Sequence, residues 1–361
     1  YVGKYALMRR LLTAVLIAFL VLAPGARTST SAPDLFSEID QITAELARIT
    51  GLKPLKRIEY SAISKDQVQR FMRERLKEEL SPEEVRVEEL VLKKFGFVPQ
   101  EYDLAKSTVE LFTEQAAAFY DFRKKKLYVL DSAPSLLQQT ALVHELAHAL
   151  ADQHFHLDKF LRHAGASDDA SLARMAVMEG QASWLMSEYT MRQMGQSLKG
   201  SSAVADMVRR TAGMPAGQFP VFDAAPLYMR ETLLFPYTQG LLFQHAVLEK
   251  LGLEGFAEVF RRPPSTAGQV MHPEKYFGRV EPRLPAAPRL ANEKQYKRIS
   301  DGTAGELDHA ILLRQYAGER EAALSAKLSG SVYALWERKD RSQCVLAYAS
   351  EWETAEAARD Y

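Results

Sequence analysis

The chain has 361 residues, 47% hydrophobic and 25% charged, an ordinary globular composition. Lysine plus arginine and aspartate plus glutamate balance at 46 each, so no net charge or basic stripe argues for nucleic acid, and none is expected as a partner. The single cysteine, Cys344, excludes an intrachain disulfide.

Residues 1–33 read as a targeting segment. Met8-Arg9-Arg10 gives a basic start, Leu11 to Leu22 an apolar run of 12 residues, and Ala23-Pro24-Gly25-Ala26 a small-residue stretch, the three parts of a secretory signal. A membrane span needs about 20 apolar residues, so membrane contact is expected only if this segment is retained as an anchor. Export without disulfides points to a secreted, periplasmic or cell-envelope protein of a bacterium.

Residues 34–118 are predicted to be a helical region. Leu35, Ile39, Ile42, Leu46 and Ile49 recur at helical spacing over 34–50, with Asp34 as a cap and Gly51 as the stop. Leu55 to Tyr60 reads as a short strand and Ser64 to Glu79 as a helix. Ser81 and Pro82 open another helix, cap then first position, which runs to about Phe95 and stops at Gly96; Leu104 to Ala118 follows as a further helix. From 119 to 130 the pattern becomes two extended pieces around a charged turn, with Leu127 to Leu130 the clearer strand.

Long helices are then predicted from Ser135 to about His154, from Asp168 to about Gly195 with Asp168 or Asp169 as cap, and from Pro236 to Leu251, ended by Gly252. Ser265 to Met271 reads as a short helical turn, and 281–290, rich in proline and alanine, as a linker. Glu306 to Tyr316 is predicted helical, and Ser331 to Glu337 with Gln343 to Ala349 a strand pair. Cys344 falls in that strand pattern and reads as a small buried side chain. The expected fold class is α+β, mostly helical. It comprises the leader, the region 34–118, a core over 119–280 and a small α+β appendage over 291–361.

Within the first long helix stands His144-Glu145-Leu146-Ala147-His148. Histidines four residues apart lie on one helix face, one turn apart, and both can reach one zinc ion at roughly 2.0–2.1 Å. The helix is apolar on nearly every side, with Leu137, Ala141, Leu142, Val143, Leu146, Ala147, Ala149 and Leu150, so it is expected to be buried. Burying two imidazoles and a carboxylate without partners is costly, and a bound Zn2+ resolves the cost. Glu145 is then placed to take a proton from a zinc-activated water, whose pKa falls towards about 7.

A catalytic zinc needs three protein ligands and one open position. Two side chains compete for the third place. His154 fits the longer pattern H-E-x-x-H-x-x-G-x-x-H, but that pattern needs a glycine at 151 to turn the chain, and Ala151 favours a continued helix. Glu179 stands in the middle of an apolar face with Leu172, Met175, Ala176, Ala182 and Met186, an anomaly unless it has a partner. Glu179 is therefore the expected third ligand, with Gly180 and Ala182 letting its helix approach the motif helix. Asp152, one turn beyond His148, is a candidate to fix an imidazole tautomer. His156, His163, His245 and His309 read as structural or solvated.

The pairing of His144-Glu145-x-x-His148 with a downstream helix bearing Glu179 resembles the gluzincin metallopeptidases, the zinc group that includes thermolysin. The resemblance covers roughly residues 119–280. It implies a zincin-like core with an active-site helix, a glutamate helix and a small edge sheet, Leu127 to Leu130 being the expected edge strand above the cleft. It also implies a downstream tyrosine or histidine that stabilises the reaction's oxyanion, for which Tyr237 and His272 are the candidates. Phe235-Pro236-Tyr237-Thr238-Gln239-Gly240 and the stretch from Ser265 to Tyr276 resemble segments of uncharacterised bacterial metallopeptidases. Two departures mark a divergent branch: Met175 stands where thermolysin has an asparagine, and 30 residues separate His148 from Glu179. The implied activity is that of an exported zinc metallopeptidase acting on peptides or proteins. The alternatives are a non-catalytic envelope binding protein on the same scaffold and a zinc hydrolase of a non-peptide amide.

Overall fold

A computed structural model describes residues 16–17, 38–79, 81–115, 118–131, 135–164, 167–201, 204, 219–290 and 293–361. In chain order the elements are β1 (Leu16–Ile17), α1 (Ile39–Thr50), β2 (Glu59–Ile63), α2 (Lys65–Glu79), α3 (Pro82–Phe95), α4 (Leu104–Gln115), β3 (Ala118–Asp121) and β4 (Lys126–Leu130). Then come α5 (Ser135–Phe155), α6 (Leu157–Arg162), α7 (Asp168–Gln193), α8 (Pro220–Ala224), α9 (Leu227–Leu251), α10 (Gly255–Arg261), α11 (Ala267–Met271) and α12 (Pro273–Phe277). The chain closes with β5 (Tyr296–Thr303), α13 (Glu306–Tyr316), α14 (Glu319–Ala322), β6 (Leu328–Arg338), β7 (Cys344–Trp352) and α15 (Ala355–Asp360). The fold is α+β and mostly helical, as expected. Apart from Leu16–Ile17, the segment expected to be a leader lies outside the described residues. Among the described residues no helix is long and apolar enough to cross a membrane.

Several helix ends obey local chemistry. Ser81 and Glu84 form a reciprocal capping box with Pro82 at the first position of α3. Gly51 and Gly96 close α1 and α3 in the left-handed conformation, φ 76° and 77°, which costs glycine little.

Other boundaries move. The strand expected at 55–60 lies at Glu59–Ile63. Ala118 opens β3 instead of ending a helix. The cap of α7 is Ser167, whose hydroxyl accepts from the Ala170 N–H, and both aspartates follow in the first turn. α9 begins nine positions before Pro236, which sits inside the helix. Proline removes one N–H from the ladder and disfavours a helix interior, so its position suggested a start. The surrounding turns are held by packing and by Thr232 and Thr238, whose hydroxyls donate to the carbonyls of Tyr228 and Leu234.

The first sheet has the order β1-β3-β4-β2. β3 and β4 form the expected hairpin, but β2 runs parallel along the other side of β4, Tyr60 opposite Leu127 and Ile63 opposite Leu130. Leu127–Leu130 therefore lies inside the sheet, and the edge on its side is β2, a pairing of residues more than 60 positions apart that no local pattern announces. The second sheet, β5-β6-β7, is antiparallel; its strand β5 was absent from the sequence reading. Cys344 heads β7, only partly buried, with Sγ 3.7 Å from Glu337 Oε1.

One apolar core runs through α1 (Ile42, Leu46), α4 (Phe112), α5 (Leu142, Leu146), α7 (Trp184) and α9 (Phe243), and reaches Ile311 of α13. The helical region before residue 118 and the segments after it share this core. A small cluster of Val91, Tyr333 and Leu335 ties α3 to the second sheet.

α7 and α9 approach each other closely. A Cβ at Gly180 would collide with the Gly240 backbone, and one at Gly240 with the Ala176 carbonyl. Gly180 thus faces α9, not the motif helix as expected. Because backbone rather than a flexible side chain is in the way, Gly240→Ala is expected to destabilise the fold by about 1–3 kcal/mol or more. Chemical denaturation of wild type and variant checks this; an unchanged midpoint contradicts it.

Candidate metal centre

α5 runs unbroken through Ala151 to Phe155, so its helical period sets His144 and His148 on one face. Their Nε2 atoms lie 2.9 Å apart. α7 brings Glu179 to the same point: its Oε2 is 3.1 Å from His144 Nε2 and 3.3 Å from His148 Nε2. Among the described residues this is the one group of three such side chains whose donor atoms lie within 4.8 Å of one another. A tetrahedral zinc with bonds of about 2.0–2.1 Å sets its donor atoms about 3.3 Å apart. Three donors meeting at 2.9–3.3 Å, two nitrogens and one carboxylate oxygen, fit that ion after a slight spreading.

The three side chains and Glu145 are buried, at 0–1% exposure. Burial, partly offset by Glu179, drives the His148 pKa down to about 4. The imidazole is thus neutral and able to ligate at neutral pH, and two imidazolium rings could not share a point with nitrogens 2.9 Å apart. For Glu179 burial works towards the neutral acid, but the neighbouring His148 and His144 outweigh it and hold the carboxyl below its ordinary value.

Tyr237 comes to the cluster from α9. Its ring stacks on that of His144 with centroids 6.0 Å apart and 26° between planes. Burial first, then the charges of Glu179 and Glu145 and a hydrogen bond to Glu179, push its phenol pKa well up. The phenol is therefore a proton-bearing donor at neutral pH.

His272 goes elsewhere. It sits between α11 and α12 with Nε2 2.7 Å from Glu306 Oε1 of α13, and Glu306, against opposing burial, raises its pKa. No interaction joins it to the triad among the described residues. His154 is 2.8 Å from the Lys53 carbonyl and does not reach the cluster.

Asp152 is buried one turn beyond His148, but it does not hold an imidazole. Its Oδ2 accepts from Tyr120 Oη at 3.1 Å and Lys125 Nζ at 2.6 Å, and its Oδ1 from the Leu157 N–H at 3.0 Å. It ties the β3–β4 hairpin to the end of α5 and favours a charged His148 only at a distance. Of the remaining histidines, His245 accepts from Trp184 Nε1 at 3.2 Å. His309 is buried beside Tyr361 and Ser331. Sequence reasoning missed Gly240, whose signal was a glycine three residues past Tyr237 in an apolar helix.

Searches with the chain find no matching protein-family model, no matching curated protein and no matching solved structure.

Two outcomes are expected. Glu179→Ala should weaken zinc binding by more than about 100-fold, the upper range for changes behind the ligands, whereas His154→Ala should leave it unchanged; competition with a chelator and metal analysis of both variants decides. Without metal, the folded His148 titrates near pH 4 and the unfolded one near about 6.5. Between these values the unfolded chain binds more protons, so stability is full above about pH 6.5 and falls as pH falls towards about 4. Thermal midpoints of the metal-free protein across this range should drop; a flat profile contradicts the assignment.

Proposed function

We propose that the protein is an exported zinc-dependent metallopeptidase of gluzincin type, with α5 as active-site helix and α7 as glutamate helix of a zincin-like core. The observation that carries this reading is the convergence of His144, His148 and Glu179 on one point, with Glu145 next to the first histidine. Zinc held there would polarise a peptide carbonyl and make a water acidic enough to act near neutral pH.

The chain's own groups do the rest. His144, His148 and Glu179 hold the ion. Glu145 accepts the proton of the attacking water and returns it to the leaving amine. The protonated Tyr237 phenol donates to the oxyanion that develops on the substrate carbonyl, a role His272 does not reach from its place on Glu306. Peptides or proteins are the proposed substrates.

One observation favours a second reading. All five side chains are buried, Tyr237 being the most exposed at 3%, and closed metal sites are commonly structural. On that reading the protein is a non-catalytic envelope binding protein. Casein cleavage, paired with metal analysis of the same preparations, separates the two. Wild type is expected to bind zinc and cleave; Glu145→Gln is expected to keep zinc and lose about 10²–10⁴-fold in rate, the usual worth of a general base. Zinc-loaded wild type that cleaves nothing favours the binding protein, and protein that takes up no metal removes both.

A further inference from the structure

One turn beyond the metal centre, the seam between α7 and α9 carries polar atoms with no use in the chemistry above. Ser183 and Gln244 are both fully buried at 0% exposure. Ser183 Oγ and both Oε1 and Nε2 of Gln244 find no hydrogen-bond partner among the described residues. An amide carries two N–H donors and two acceptor lone pairs, and leaving such groups unsatisfied in a core costs far more than an apolar side chain of the same shape.

Helical geometry places the two residues on one side of the seam. Glu179 and Ser183 are four apart on α7, and Tyr237 and Gln244 seven apart on α9, so each pair shares one face of its helix. The helices run parallel in register: Gly180 meets Gly240, and Trp184 Nε1 reaches His245 Nδ1 at 3.2 Å. Ser183 lies three residues past Gly180 and Gln244 four past Gly240. They therefore stand at the same level, on the side of the seam that carries Glu179 and Tyr237.

We propose that this seam binds internal water, shared between Ser183 and Gln244 and stacked one helical turn above the metal centre. A buried water typically makes about three hydrogen bonds and needs two to four polar partners; one hydroxyl and both ends of one amide provide them. Beyond the glycine contact each helix sets a buried polar side chain on this side of the seam. The site does not depend on the peptidase reading, because it rests on no metal ligand.

The test is a double-mutant cycle with Ser183→Ala and Gln244→Met on the full chain, read by chemical denaturation. Shared water predicts that Gln244→Met lowers the midpoint although it removes a buried polar group. It also predicts that the two changes are non-additive by roughly threefold or more in the unfolding equilibrium constant. A Gln244→Met midpoint that rises or stays, or additive effects of the two changes, overturns the proposal. Should either variant fail to fold, a crystal structure of wild type near atomic resolution decides: solvent peaks within hydrogen-bond reach of both Ser183 Oγ and the Gln244 amide support it, and their absence overturns it.

Discussion

At Gly180 the backbone of α7 lies against the backbone of α9 at Gly240, with no side chain between them. Glu179 is the residue before one glycine, and Tyr237 lies three residues before the other. Any Cβ in the contact would push the helices apart and lift both groups from the histidines. Glycine in a helix interior costs roughly 0.5–1 kcal/mol relative to alanine, and here that cost is offset by the burial it permits. Trp184 and Phe256, in edge-to-face contact at 5.6 Å, and Phe243 are all fully buried.

The second constraint is the unbroken α5. A helix that continues through Ala151 keeps His144 and His148 at one azimuth and carries His154 away to the Lys53 carbonyl. Its far end is clamped by Asp152, which gathers Tyr120, Lys125 and the start of α6. The histidines are thus fixed from beyond the site by the hairpin, and the glutamate from the opposite side by the glycine contact. Two rigid placements, made independently, bring three donor atoms to within 3.3 Å of one another.

How much of this was legible beforehand follows the range of each interaction. His144, His148 and the anomaly of Glu179 could be read because a helix period and an apolar face are local properties. So could the Ser81–Glu84 box and the glycine stops. Asp152 was misread because its partners, Tyr120 and Lys125, sit on a hairpin about 30 positions away. Gly180 was assigned the wrong neighbour for the same reason: small residues announce a close approach but not to what. Pro236 misled in another way, since its local preference to start a helix lost to packing along α9. β2 beside β4 and the missed β5 are pairings set by tertiary context, where strand propensity alone is weak.

Glu145 bears on whether the centre is structural or catalytic. It is fully buried, it faces the cluster closely enough to raise the Tyr237 phenol, and it is not among the three converging donors. A purely structural site has no use for a general base beside its first histidine. Under the proposed chemistry a substrate reaches the site only by displacing whatever shields side chains of 0–3% exposure. The separation of α7 from α9 is not the way in, because parting them at Gly180 would remove Glu179 from the ion it is proposed to hold.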